Sequence, residues 1–599
     1  MNLTWRSSSI LPRTSRFYQK SFRVVSTESR KESAQQEQEV THDQQRDPVL
    51  SEEKKARAPF LKNLFLGRFD KDVLGFPELN KARQKNFNAA IAPALKSLMD
   101  AVDPRRTDAE GTVPDSVLKE LKNQRILGGT VSEDYGGLGL NAMEQCLVAE
   151  FTGSDASVAG IVNASNNMVI QVLFPNSISA VNKYGSAEIK QKYLPRLASG
   201  QLTAAWCLTE ETGGSDTTML NARAAKTLDG KFFDVTGKKI WVINAEKADL
   251  FLVFVRIQDK DELHNPCDIT SAILVEKSEA VALSPCPSAG LRGAGIQNIT
   301  FNKAHVPVEH LLGDTLDGNE IAFETLANFR CASAAQVAAT MRGLLTKTIR
   351  HCIDRMAFGQ TVADFDMVRE HLGKLAVWTY AVESMAYLTA GMTDSGEYPD
   401  TQMECAATKV FSSEKMWSCL SECLVLLGSK SCSPKEGYEQ YLRDSYCHHH
   451  HGGANDILRL YIGLKGLEYA GKEMQALVKV MRHPYDNPSI YMKKNFRGLW
   501  ESIRFNKDNI KLKMHLYGHI HPTLKHISLQ PEAEILERLV LRFPVVIEHV
   551  LIEHGAYIPQ RQMLLRRMAD CIIYLHALTA VLARASRSYC IGLRHANVE

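Results

Sequence analysis

Four consecutive histidines, His448 to His451, follow Cys447 and run straight into Gly452-Gly453-Ala454-Asn455. The ordinary pKa of imidazole lies close to neutrality, so such a run could bind a metal or move a proton. Geometry argues against the metal, because neighbouring residues of a helix or an extended chain point apart. No metal site is expected. Proton transfer by one of the four stays open, beside the plainer reading of a solvated or loop-packing run. The 13 cysteines are scattered from Cys146 to Cys590 without a CxxC pair, which fits a reducing interior better than a disulfide scaffold. Cys419 and Cys423, four apart in a helical pattern, read as small apolar helix residues.

The elements that must position these groups fall into blocks. A chain of 599 residues exceeds one core and implies two to four domains. Residues 59–200 read as helical, punctuated by YGGLGL at 135–140. Residues 201–312 change character: TAAWCLTE, KFFDVTGKKIWVI, DLFLVFVRI and TSAILVEK are short β-branched and aromatic runs separated by turn residues. Long helices return over 313–482, with an Ala-rich face from Ala332 to Met341. Helices, then strands, then helices, with no βαβ alternation, imply an α+β fold and exclude a Rossmann architecture.

Residues 483–599 form a further helical extension. Within it Met492, Phe496, Leu499, Trp500 and Ile503 share one helical face, flanked by Lys493, Lys494, Arg497, Arg504 and Lys507. A basic amphipathic helix suits a membrane interface and equally suits packing on its own protein. No window approaches the roughly 20 apolar residues of a membrane span; the best, Cys571 to Leu582, is short and contains His576. At the other end, residues 1–27 carry Arg6, Arg13, Arg16, Lys20, Arg23 and six serines without an acid, the composition of a mitochondrial transit peptide. Residues 28–58 are Gln/Glu-rich and read as a disordered linker. A formal net charge of +3 gives no global pull toward nucleic acid.

TEETGGSD (209–216), GKKIWVINA (237–245), KYGSAEIKQKYLPRLASGQLTAAWCLTE (183–210), AHVPVEHLLGD (304–314) and NDILRLYIGLKG (455–466) occur in the order seen in the acyl-CoA dehydrogenase family, which the chain resembles from about residue 60 onward. The resemblance implies an N-terminal helical domain, a β-barrel-like middle domain and a C-terminal four-helix bundle. The extension and RASRSYCIGLR (584–594) resemble the very-long-chain branch, and within it the mitochondrial member that helps assemble respiratory complex I. That relative would continue some tens of residues further.

The family's reaction needs a carboxylate to remove the α-proton of an acyl-CoA thioester while the β-hydride goes to FAD. The resemblance assigns Cys207, Leu208, Thr209, Gly214 and Ser215 to the strand and loop along the flavin. It assigns Trp241 to its cover, Ile243 to a position beside its N5, and Asp456 to further cofactor contact. Arg355 and Phe358 would reach a neighbouring subunit's FAD, implying a homodimer. Ser215, Arg292 and Arg330 fall at the substrate site.

The departures lie at the chemistry. Gly452 stands where long-chain members carry the glutamate base, and Phe329 where other members carry it; the nearest carboxylate, Glu324, is off that helical face. Ile243 replaces a Ser or Thr donor, Ala357 a glutamine, and Ala454 a Thr. GSKS at 428–431 replaces a glycine loop, and Ala294 and Ile296 lack expected hydroxyls. His451 falls where its side chain should point away from substrate. The expectation is a degenerate homologue with weakened or absent FAD, serving as a complex I assembly scaffold in the mitochondrial matrix or on the matrix face of the inner membrane. An active FAD-dependent long-chain or very-long-chain acyl-CoA dehydrogenase with an unrecognised base is the alternative. A module that binds acyl-CoA without oxidising it is a third.

Overall fold

The computed structural model describes residues 57–170, 184–260, 266–482 and 527–593. The transit-peptide reading of 1–27, most of the linker and the amphipathic stretch at 492–507 lie outside the described residues. Helices α1 (Phe60–Leu64), α2 (Lys81–Asn86), α3 (Ala92–Asp100), α4 (Pro104–Glu110), α5 (Asp115–Asn123), α6 (Ala142–Thr152), α7 (Ala156–Asn163) and α8 (Ala187–Ala198) precede the strands. The starts of α2, α4, α6, α7 and α8 follow from short polar side chains that satisfy first-turn N–H groups. Asn141 and Glu144 form a reciprocal box at α6, Asp155 accepts from Ser157 and Val158 at α7, and Ser186 accepts from Ile189 at α8.

An eight-stranded sheet follows: β1 (Ala204–Cys207), β2 (Arg223–Lys226), β3 (Phe232–Val242), β4 (Leu250–Lys260), β5 (Pro266–Glu276), β6 (Val281–Pro285), β7 (Gln297–Pro307) and β8 (Leu311–Leu312). The order is β6-β7-β3-β2-β4-β5-β8, with β1 paired in parallel to β4 from Ala204–Leu250 to Cys207–Val253. The alternating apolar residues of these strands meet in one cluster containing Ala205, Cys207, Val235, Phe251, Val253, Ile273 and Phe301. The β3–β7 pairing breaks register between Lys239 and Val242, next to Trp241.

The bundle is α9 (Gly318–Asp354), α10 (Asp366–Ser395), α11 (Gln402–Leu427) and α13 (Asn455–Arg482), with α12 (Tyr438–His448) between the last two. A hairpin of β9 (Met356–Ala357) and β10 (Gln360–Thr361) joins α9 to α10. Helix α9 is its central rod: every residue from Phe329 to Ala338 is buried, the polar Arg330, Ser333 and Gln336 included, which explains a segment otherwise made of small and apolar side chains.

The extension, α14 (Gln530–His554) and α15 (Gln562–Cys590), packs on the bundle. Asp570 accepts from Arg459 Nε at 2.7 Å, Phe543 meets Phe65 edge-on at 5.2 Å between centroids, and Glu78 pairs with Arg587. Gly466 of α13 has no substitute here, since a Cβ would lie 2.1 Å from the Phe65 ring. Helix α15 corrects one expectation. It is long and apolar enough to cross a membrane, with mean hydropathy 1.4, although the sequence suggested that no stretch was. Two thirds of that window is buried against the bundle, and His576 hydrogen-bonds Thr389 Oγ1 at 3.0 Å. Its apolarity is that of a core helix.

Candidate active site

Two surfaces meet at the site, one from the sheet and one from the bundle. On the sheet side, Thr209 carbonyl accepts from Ile240 N–H at 2.9 Å, which sets Trp241 beside Leu208 and Thr209. Trp241 adopts φ +58° and is 51% exposed. A bulky residue in the left-handed region is a strained conformation that the surroundings must enforce. Here the register break in β3 and Asn244, which donates to Ala204 carbonyl and to Ala294 carbonyl, enforce it. The buried Lys239 donates to Glu210 at 2.6 Å and to Leu208 carbonyl, while Glu210 accepts the N–H groups of Asn221 and Ala222. That pair clamps the turn leading to the exposed Gly214 and Ser215. Burial is the larger influence on Lys239 and lowers its pKa, with Glu210 opposing.

On the bundle side, Arg330 Nε donates to Gly452 carbonyl at 2.7 Å. Gly452 and Gly453 have φ +71° and +107°, so the loop turns through two left-handed residues. A Cβ at 452 would stand 3.0 Å from Phe329 Cδ1 and 3.1 Å from Cε1. Phe329 thus packs directly on the position where the resemblance places the base. Phe329 also joins Ala164 and Met168 in one apolar cluster with Trp206, Ile243 and Leu326. The two surfaces are therefore joined by hydrocarbon, and Ile243 is part of the seam.

Lys409 of α11 was not anticipated. It is buried, and its ammonium donates to His449 carbonyl (3.2 Å), Gly453 carbonyl (2.7 Å) and Asn455 Oδ1 (2.9 Å), fixing the loop's path. The available signal is a lone lysine inside the apolar run CAATKVF (405–411). Burial, then the nearby Arg330, pull its pKa well below the usual lysine value. Burial lowers Arg330 to about 10.

The histidine run divides. His448 is buried with Nδ1 3.4 Å from Ser333 Oγ, while His449 lies edge-on to Trp417 and His450 to Tyr446. Burial together with the neighbouring cations holds His448 down to about 3 and His451 down to about 4. The run is part packed and part solvated: His448 is buried, His449 and His451 are half-buried, and His450 is exposed. Among the described residues no group of three or more His, Cys, Asp or Glu side chains is arranged to hold a metal.

Other expected site residues lie apart. Arg292 is exposed in the 289–296 loop, 3.9 Å from Asp108. Asp456 is exposed and faces Arg459 and Arg566 of the extension. Arg355 and Phe358, the latter 98% exposed, sit on the β9–β10 hairpin, about 36 Å along α9 from Arg330 at 1.5 Å per residue. Within one chain they do not join the site.

A helical block, an eight-stranded sheet and a four-helix bundle with a loop between the last two helices define the acyl-CoA dehydrogenase architecture. The chain belongs to the acyl-CoA dehydrogenase family: residues 84–201, 205–304 and 317–466 match its N-terminal, middle and C-terminal domains. Residues 527–599 match the domain described as ACAD9/ACADV, C-terminal domain. The chain is 32% identical over 549 residues to the mitochondrial very long-chain specific acyl-CoA dehydrogenase of Mus musculus, covering 90% of this chain and 81% of that one. The Homo sapiens counterpart is 30% identical over 552 residues, covering 91% and 82%. Among solved structures, an acyl-CoA dehydrogenase complexed with FAD from Bacillus anthracis is similar with a TM-score of 0.69 at 23% identity, over 88% of this chain and 86% of that one. Butyryl-CoA dehydrogenase from Megasphaera elsdenii gives 0.58 at 22%, over 65% and 98%. These two speak to the fold.

Proposed function

We propose that this protein is a mitochondrial acyl-CoA dehydrogenase homologue that does not run the oxidation efficiently and serves as a scaffold in complex I assembly. The observation that carries the reading is Gly452: a left-handed glycine with Phe329 packed where a side chain would begin. Abstraction of an α-proton needs a positioned base within hydrogen-bond reach. His448 and His451 are held at about 3 and 4, so they stay neutral near pH 7 with little affinity for a proton. Glu324 is engaged with Tyr184.

FAD, when bound, supplies the hydride acceptor. Cys207, Leu208, Thr209, Gly214, Ser215 and the exposed Trp241 would hold the ring, and the strained Trp241 backbone supports that role. Against tight binding stand the apolar Ile243 and the side chains of Ser429, Lys430 and Ser431, which occupy a 3₁₀ turn at Gly428–Cys432. Asp456 would add a contact. Arg355 and Phe358, projecting from their hairpin, suit a site on a second copy and hence a homodimer. The substrate side would use Ser215, Arg292 and Arg330. Domain limits of 59–200, 201–312, 313–482 and 483–599, behind a 1–27 transit peptide and a 28–58 linker, complete the proposal, with the matrix or the matrix face of the inner membrane as its place.

The alternative, an active FAD-dependent long-chain dehydrogenase, draws support from the same Trp241 and from the buried Arg330. The visible spectrum of the purified mature protein, before and after anaerobic long-chain acyl-CoA, separates them. The scaffold reading expects no flavin band or one that stays oxidised; a band that bleaches overturns it.

A further inference from the structure

Arg330 is 4% exposed, and Nε is its one nitrogen with a described acceptor, the Gly452 carbonyl. Its two terminal nitrogens meet no acceptor among the described residues, and no described carboxylate comes within 4 Å of the guanidinium. The acidic groups of the neighbouring helices are engaged elsewhere: Glu414 with Arg459 at 2.6 Å, Glu404 with Leu61 N–H at 2.8 Å, and Glu324 beside Tyr184. Lys409, the other buried cation here, has three acceptors from the loop and Asn455. An arginine stays protonated at any ordinary pH, and a buried ion without a counter-charge is costly. The open end of this guanidinium is an unmet electrostatic demand.

We propose that Arg330 forms the head-group subsite for an aliphatic monocarboxylate, bound through the planar fork of its terminal nitrogens. A carboxylate matches that fork with two parallel hydrogen bonds and brings a negative charge to the guanidinium, whose terminal nitrogens have no acceptor among the described residues. Inorganic phosphate has no alkyl tail to place against Phe329, Leu326 and Met168, the apolar cluster to which Arg330's neighbour Phe329 and its i−4 residue Leu326 belong. That cluster is what selects an alkyl tail. The inference rests on the reading that residue 452 supplies no carboxylate, since a glutamate there would itself be the counter-charge.

The test is calorimetric titration of the purified full chain with sodium octanoate, with octanol and inorganic phosphate as controls. Saturable one-to-one octanoate binding is expected, with octanol at least tenfold weaker and no heat from phosphate. Arg330→Gln should weaken octanoate at least tenfold and Arg330→Lys should keep part of the affinity. Absence of saturable octanoate binding, equal binding of octanol or phosphate, or undiminished binding by a folded Arg330→Gln overturns the proposal. Should Arg330→Gln fail to fold, the octanoate-to-octanol ratio of the natural chain decides alone. Bleaching of a flavin by acyl-CoA would remove the scaffold reading without touching this titration, so the two failures are distinguishable.

Discussion

The two faces of the candidate site are built differently. The sheet face is held by polar clamps: Lys239 on Glu210, Asn244 on two backbone carbonyls, and a strained Trp241 between them. Strain at such a residue costs about 1–3 kcal/mol and persists only where the surroundings over-determine it. The bundle face also keeps its clamp, Lys409, yet it presents Gly452 and Phe329 where the chemistry would need a carboxylate. Residues that hold the backbone are present on both faces. The faces differ in what they present: an exposed tryptophan on a strained backbone on one, and a glycine packed against a phenylalanine ring on the other.

The sharpest way to break this comparison is to rebuild the missing group. Gly452→Glu alone should give no acyl-CoA-dependent flavin reduction, because its Cβ would stand 3.0 Å from Phe329 at φ +71°. Gly452→Glu with Phe329→Ala removes the ring that blocks it. A positioned general base contributes roughly 10²–10⁴-fold, so stopped-flow reduction should become measurable only in the double variant. Activity of the single variant would show that the ring yields and that the bundle face lost only its base.

A second test weighs the clamp. Lys409→Met removes the donor for His449 carbonyl, Gly453 carbonyl and Asn455 Oδ1. His449 carbonyl keeps Asn455 N–H and Asn455 Oδ1 keeps Ser413 Oγ, so the Gly453 carbonyl is the acceptor left without a described donor. One unsatisfied buried acceptor costs about 1–3 kcal/mol, so denaturant unfolding should report a loss of that size. A loss under about 1 kcal/mol would mean that the loop is held by other contacts.

Much of this was legible in the residues themselves. Alternation in DLFLVFVRI and TSAILVEK announced paired strands, and they lie as neighbours β4 and β5, joined from Leu250–Glu276 onward. Gly452 and Phe329 each stand where the family resemblance leads one to expect a base. That they touch was not readable, because 122 residues separate Arg330 from Gly452 in the chain and only bundle packing closes that distance. Lys409 hid because a lysine on a helix ordinarily reads as a solvated residue. The histidines were ambiguous for a related reason: periodicity does not say which face of a short loop a neighbouring helix will cover. Helix α15 was under-read because His576 interrupts an apolar stretch, yet a neutral imidazole bonded to Thr389 fits a core.

Acid should separate the two faces next. The folded-state pKa values of His448 and His451, about 3 and 4, lie below the ordinary 6.5, so the unfolded loop binds protons that the folded loop does not. Their contribution is complete above pH 6.5 and is lost as pH falls from there toward 4, by up to about 1.4 kcal/mol per pH unit for each group. Amide hydrogen exchange should show residues 448–455 losing protection over that window while the β3–β7 ladder keeps it. In His448→Gln the dependence should flatten. Equal loss in the ladder would mean that the faces unfold as one unit.

The smallest expected effect concerns the seam between the faces. Ile243 sits in the cluster with Phe329 and Met168, just past the end of β3, at the position that the family resemblance places beside flavin N5. Ile243→Thr keeps the branched shape and adds a hydroxyl that could donate to the ring. One recovered hydrogen bond is worth about 0.5–1.5 kcal/mol, so the Kd for FAD, followed by flavin fluorescence quenching, should tighten roughly two- to tenfold. The same hydroxyl, facing Phe329 and Met168 when no flavin is bound, should lower the stability of the flavin-free protein by a similar amount. A variant that binds FAD no better, yet is equally destabilised, would place Ile243 in the packing of the apolar seam and away from the cofactor. Tighter binding would show that the sheet face still lacks only this one contact.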